Sequence, residues 1–207
     1  MKEILEYLIR THGPLVEEAM NFILRRCDEI TLKKGEILFK TESVCADVWF
    51  IKAGALRAYE LNEDGNEVTS WLMIKNDIAT SVISFFKEVP SKETVEALQD
   101  CVIFKMSKKD LFTGLAKYPS MLMLTFRITV DYYCQAYLQN SFLRKKEPAG
   151  IYHDLLENHA EIVQIASEKH LASFMGITPP TYTKIKSPQK TEAKAEKPAK
   201  KKKKGKG

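Results

Sequence analysis

The residues best suited to meet another molecule's polar groups lie late in the chain, between Ser167 and Lys186. Ser167 can cap a short helix whose inward face is Leu171, Ala172 and Met175. Ala172 is small, as a helix crossed closely by another requires. Gly176 permits a sharp turn and Ile177 fills the angle behind it. Thr178 is placed to cap a second helix, with Pro179 at its first position. Tyr182 and Ile185 then face inward. Thr178, Thr181, Thr183, Lys184 and Lys186 are left outward, offering hydroxyls and ammonium groups to phosphate oxygens and base edges. A small residue, a glycine, Ile-Thr and a polar-faced helix over 179–186 predict a helix-turn-helix rather than an ordinary αα-corner.

Other chemistries find less support. Cys27, Cys45, Cys101 and Cys134 are widely spaced and form no CxxC pair, so they are expected to be small buried apolar residues. His12, His153, His159 and His170 are expected at the surface, and no histidine stands between residues 28 and 118. A metal-dependent enzyme built on clustered histidines is therefore not expected. With no glycine-rich phosphate loop, nucleophile elbow or paired carboxylates, we expect no catalytic residues, no metal and no cofactor.

The elements that must position the 167–186 segment follow from periodicity. The first 26 residues have helical spacing, broken at Gly13–Pro14. After Cys27 the beat changes to two, and about eight short strands follow at intervals of roughly 8–12 residues, as in an antiparallel sandwich or roll. Asn62–Asn66 contains Asp64–Gly65 and reads as a hairpin turn. Ser107 is a plausible N-cap for the next helix. A long helix then runs from about Ser120 to Arg144 without glycine or proline. On it, Met123, Phe126, Val130, Tyr133, Tyr137 and Asn140 recur at steps of three and four, a seam that predicts a homodimer. Lys145–Gly150 reads as a hinge.

Composition agrees with a globular body. Of 207 residues 44% are apolar and 29% charged, and no apolar run approaches a membrane span. Charges at Lys2, Glu3, Glu6 and Arg10 leave no signal-like apolar centre, so a cytoplasmic protein without membrane insertion is expected. The net charge of +5 is divided unevenly: nine lysines and two glutamates from Ser187 onward give that segment +7 and leave −2 on the body. Residues 188–207 are expected to be a disordered, lysine-rich arm that adds nonspecific DNA affinity, rather than a solubilising extension or a ribosome or membrane-surface contact.

The chain resembles the Crp/Fnr transcription regulators, in particular their Bacteroidetes-type branch. The resemblance is carried by LKKGEILFK (32–40), WFIKAGALRAY (49–59), GNEVTSW (65–71), SFFKEVPSKETVEALQD (84–100), IYHDLL (151–156) and HLASFMGITPPTYTKIK (170–186). It implies an α+β chain: an antiparallel β-roll sensor domain of the cyclic-nucleotide-binding-like kind over 1–118, a dimerisation helix over 119–145 and a helix-turn-helix domain over 146–187. It also implies double-stranded DNA as partner, with room for a small-molecule effector and RNA polymerase. Where the family commonly places a Ser-Arg pair on its reading helix, this chain has Thr183 and Lys184, and lysine lacks arginine's bidentate fit to guanine. Nucleotide-binding relatives carry Gly-Glu for the ribose and, ten residues after that Glu, an Arg for the cyclic phosphate. The matching positions here are Thr80, Ser81 and Ser91. The pocket implied by the resemblance, drawn from Thr80, Ser81, Ser84, Phe85, Ser91 and Thr94, thus lacks the phosphate's counter-charge and is not expected to take cyclic AMP in the usual mode. Lys87 and Lys92 read as solvated loop lysines. A lone Cys27 does not make an iron–sulfur cluster, and no histidine falls in the presumed pocket to ligate haem. The rival reading is a protein–protein interaction module on the same fold that no longer reads DNA.

Overall fold

The structure, a computed structural model, describes residues 1–145 and 147–187; the lysine-rich segment 188–207 lies outside them. Two helices open the chain, α1 (Lys2–His12) and α2 (Glu17–Arg26), as the helical spacing predicts. The roll follows as β1 (Asp28–Leu32), β2 (Ile37–Phe39), β3 (Asp47–Ala53), β4 (Leu56–Leu61), β5 (Glu67–Met73), β6 (Ile78–Ala79), α3 (Val82–Lys87), β7 (Thr94–Ala97) and β8 (Cys101–Ser107). Then come α4 (Lys108–Lys117), α5 (Pro119–Lys145), α6 (Pro148–Asn158), α7 (Ala160–Ile165), α8 (Glu168–Phe174) and α9 (Pro179–Lys186).

The strands form two antiparallel sheets of four, in the orders β1-β8-β3-β6 and β2-β7-β4-β5. Alternating apolar side chains from both sheets meet between them, with Ile51, Leu56 and Ile103 fully buried. Ile4, Leu5 and Leu8 of α1 join this core, as do Ala19 and Ile23 of α2. The β4–β5 hairpin turns at Asn62–Asn66, where the Asn62 side-chain oxygen accepts from the Asp64 and Asn66 amides and Gly65 takes φ +77°. Gly54 closes the β3–β4 turn at φ +98°, and a Cβ there would lie 2.7 Å from the Asp100 carbonyl, so no larger residue fits.

Sequence reasoning missed two elements. β6 has two residues, too few to show a period. α3 exposes Val82, Ile83 and Phe86 and so lacks an amphipathic signature. The hinge is also shorter than expected: α5 reaches Lys145 and α6 starts at Pro148, because proline suits a first helical position. Of the cysteines, Cys45 and Cys101 are buried and Cys27 half-buried, but Cys134 is exposed on α5, against expectation. Two histidines also depart from the surface expectation. His12 pairs with Asp131 at 2.9 Å, linking α1 to α5, and His170 has a buried Nδ1.

Ser107 caps α4 as predicted, accepting from the Asp110 amide, and Ser167 caps α8, accepting from the His170 amide. The Thr178 side chain caps nothing. Pro180 removes one of the two N–H groups that a cap would serve, and the Thr178 hydroxyl sits 2.9 Å from the hydroxyl of Thr181 rather than on its amide.

At roughly 1.5 Å per residue, α5 is roughly 40 Å long. Its inner face packs against α4 and α1, with Met121 and Ile128 joining the first core and Leu124 buried as well. Farther along, the Tyr132 hydroxyl accepts from the Ile78 amide at 2.8 Å, and its ring lies against Trp71. Burial and the neighbouring Asp77 push the Tyr132 phenol above its ordinary range, so it stays a neutral hydroxyl.

A second core joins the C-terminal helices to the roll. Ile151, Leu155, Ile162, Leu171, Ala172, Met175 and Tyr182 pack with Ala55 and Leu98, while Leu72 and Ile74 flank them. Beside it Arg57 on β4 is 1% exposed. Its guanidinium reaches Glu96 at 2.7 Å and Glu67 at 2.8 Å and lies over the Tyr59 ring. Removing one partner of a buried charge group strands the others. Arg57→Leu is therefore expected to destabilise the protein by about 3 kcal/mol in chemical denaturation, whereas breaking the exposed, solvent-screened Lys33–Asp100 pair should have far less effect.

Candidate functional site

The residues read as an effector pocket lie around α3 and β7. Ser81 and Ser91 meet, with hydroxyls 2.8 Å apart, and both are buried. The Glu93 side chain fills the space beside them: its carboxylate accepts from Ser81 at 3.2 Å and from Ser70 at 3.1 Å, and its amide donates to the Ser91 hydroxyl. The hydroxyls are thus engaged with one another and with an internal carboxylate. Any incoming anion would meet a negative charge. The other four residues serve the fold. Ser84 accepts from the Cys45 amide and donates to the Val89 carbonyl, Phe85 is in the core, Thr80 donates to the Asp47 carbonyl, and Thr94 accepts from the Thr41 amide. Lys87 and Lys92 are exposed. Glu93 escaped sequence reasoning although it sits inside the quoted segment; a carboxylate among so many hydroxyls was the available signal.

The second candidate region is the pair α8–α9. Gly176 takes φ +68° between them, and Ile177 packs against the core beneath. Leu171, Ala172 and Met175 are buried, as is Tyr182, whose ring meets Tyr152 edge-on. Burial first, then the neighbouring Tyr152, pushes the Tyr182 phenol up to about 12. On the outer side Thr178, Thr183, Lys184 and Lys186 are exposed, and Thr181 is half-buried. Glu168 of α8 reaches this surface: Lys186 donates to it at 2.8 Å and the Thr183 hydroxyl at 3.4 Å. The contact lowers the Glu168 pKa and raises that of Lys186. An exposed pair like this is screened by solvent and contributes little to stability.

α8 is held against β5, the edge strand of its sheet. The Ser173 hydroxyl accepts from the Thr69 amide at 2.9 Å and donates to the Glu67 carbonyl at 3.2 Å, so one side chain satisfies both groups. Nothing in the local pattern around Ser173 announces that partner, because it is more than a hundred residues away.

The third region is the outer stripe of α5. Met123, Phe126, Val130, Tyr133, Tyr137 and Asn140 are all exposed, Tyr133 at 71%. Among the described residues no group of three or more His, Cys, Asp or Glu side chains could hold a metal ion, and no helix is long and apolar enough to cross a membrane.

Residues 29–118 match the family model of the cyclic nucleotide-binding domain. Solved structures extend the likeness to most of the chain. FixK2 from Bradyrhizobium japonicum superposes with a TM-score of 0.65 at 16% identity, covering 77% of this chain and 82% of that one. The c-di-GMP-responsive global regulator CLP of Xanthomonas campestris gives 0.64 at 12% identity, covering 82% and 89%. A protein described as a regulator of the Crp/Fnr family from Eubacterium rectale gives 0.64 at 18% identity, covering 83% and 82%. At such identities the likeness is one of fold. Comparison with curated protein sequences gives no match.

The α8–β5 contact also carries a titratable group. His170 Nδ1 is buried without a protein partner. Burial, then the Arg57 guanidinium, holds its pKa below the ordinary 6.5; Lys169 acts the same way, while Glu96 and Glu67 pull upward. Because the folded state resists a proton that the unfolded chain accepts, stability must fall as pH drops through about 6.5. Thermal unfolding followed from roughly pH 7.5 to 5.5 should show this loss, and His170→Gln should flatten it.

Proposed function

We propose that the chain is a homodimeric, non-enzymatic transcription regulator of the Crp/Fnr type, reading double-stranded DNA through α9 in a helix-turn-helix. The observation that carries the reading is the outward face of α9, where Thr183 and Lys184 are exposed above a buried Tyr182. The apolar stripe of α5 supports the dimer: a second copy would cover Met123, Phe126, Val130, Tyr133 and Tyr137 and place two reading helices side by side. The residues assigned to DNA are Thr178, Thr181, Thr183, Lys184 and Lys186. The lysine-rich segment 188–207, beginning beside α9, adds phosphate contacts without sequence preference. The protein acts in the cytoplasm, and contact with RNA polymerase belongs to the same reading. The sensor pocket is divergent and does not take cyclic AMP in the usual mode, because Glu93 stands among its hydroxyls.

Selection from a random DNA library should return a palindromic site. Lys184→Ala should weaken that complex by about tenfold, and deletion of 188–207 should weaken all DNA alike and lower the salt dependence. Sedimentation should find a dimer that Tyr133→Lys converts to monomer. A monomeric wild type, or no specific shift at about 150 mM salt, would leave the protein–protein module as the better reading.

Calorimetric titration with cyclic AMP should give no saturable heat at micromolar concentration. Tight binding there would overturn the divergent-pocket assignment.

A further inference from the structure

Most of the polar groups on the outer side of α9 are already engaged within the protein. The Thr183 hydroxyl turns back on its own helix, donating to the Pro179 carbonyl at 3.1 Å, and the Glu168 carboxylate stands 3.4 Å from it. The Thr178 and Thr181 hydroxyls lie 2.9 Å apart, so one of them is committed to the other. Lys186 is paired with Glu168 at 2.8 Å. At the start of the helix Pro179 and Pro180 carry no N–H, which takes away two of the backbone amides with which helix starts commonly hold phosphates. What these bonds leave unengaged is mainly apolar: two exposed pyrrolidine rings and the γ-methyl of Thr183, beside the exposed ammonium of Lys184. Pro180, Thr183 and Lys184 stand at steps of three and four, on one face of the helix.

In the major groove the four bases present donors and acceptors, and thymine alone adds an apolar group, its C5-methyl. With its proton held by the helix backbone, the Thr183 hydroxyl does not donate to a base, while its methyl is free to make an apolar contact. We infer that Thr183, flanked by the Pro180 ring, reads the C5-methyl of thymine, so that α9 selects thymine-bearing positions by apolar contact while Lys184 supplies the charge. The inference rests on the proposed DNA reading and adds which base that reading selects and through which atoms.

The test uses the full chain and a duplex recovered from a random DNA library. Uracil in place of thymine keeps every hydrogen-bonding group and removes only the methyl. Replacing the thymines of one half-site one at a time should weaken the complex in fluorescence anisotropy by about fourfold at one position or more, the effect expected of one buried methyl group. Thr183→Ser keeps the hydroxyl and loses the methyl, and it should bring the thymine-to-uracil affinity ratio at that position close to one. Thr183→Val keeps the shape and loses the hydroxyl, and it should preserve both the ratio and the affinity. Both substitutions are at an exposed position, and melting temperature checks that the variants fold. A selected half-site without thymine, a site indifferent to uracil throughout, a ratio that survives in Thr183→Ser, or affinity lost in folded Thr183→Val would overturn the inference and leave DNA reading intact. A library that returns no specific duplex would overturn the DNA reading, and this inference with it.

Discussion

An edge strand must dispose of the backbone groups that its own sheet leaves unpaired, and on β5 this requirement organises much of the molecule. The Ser173 hydroxyl meets two of those groups at once, the Thr69 amide and the Glu67 carbonyl. Holding α8 there lays Leu171 and Met175 beside residues of the roll and forms the second core. It also brings His170 close to the Arg57–Glu67–Glu96 group, in which a buried guanidinium is held between two partly exposed carboxylates from neighbouring strands. The position of α9, and hence the direction in which Thr183 and Lys184 point, is inherited from that contact through the turn at Gly176.

Inside the roll, the hydroxyls around α3 and β7 find their partners within the protein itself. Ser81 and Ser91 are buried and their hydroxyls meet at 2.8 Å. Glu93 then occupies the hydroxyl-rich space and ties Ser70 and Ser81 to itself. The neighbouring hydroxyls of Ser84 and Thr80 donate to the Val89 and Asp47 carbonyls and so satisfy backbone groups of the roll.

What could be read from the chain was local. The hairpin at Asn62–Asn66, the cap at Ser107, the long α5 and the α8–Gly176–α9 order all follow from neighbours within a few residues, and all are present. What could not be read depends on distant partners. Arg57 lies in an alternating strand where a charge normally means solvent, yet it is buried between Glu67, Glu96 and the Tyr59 ring. His12 and His170 look like surface histidines until Asp131 and the roll are brought beside them. For the candidate site, the outward residues of α9 were legible from their spacing, but the contact of Lys186 and Thr183 with Glu168 needed the turn to fold first. β6 and α3 left no trace because one is too short for a period and the other carries apolar residues on its solvent side.

The shared second core bears on how this protein can be taken apart. A fragment cut after residue 118 would keep both sheets but bare Ala55, Leu98, Leu72 and Ile74 to solvent. Such a piece would carry an adhesive flank and tend to self-associate for reasons unrelated to any natural pairing. The C-terminal helices, freed alone, would lose the support beneath Leu171 and Tyr182 and hold their shape poorly. The chain is therefore best handled whole, and the two halves are expected to melt in a single cooperative transition.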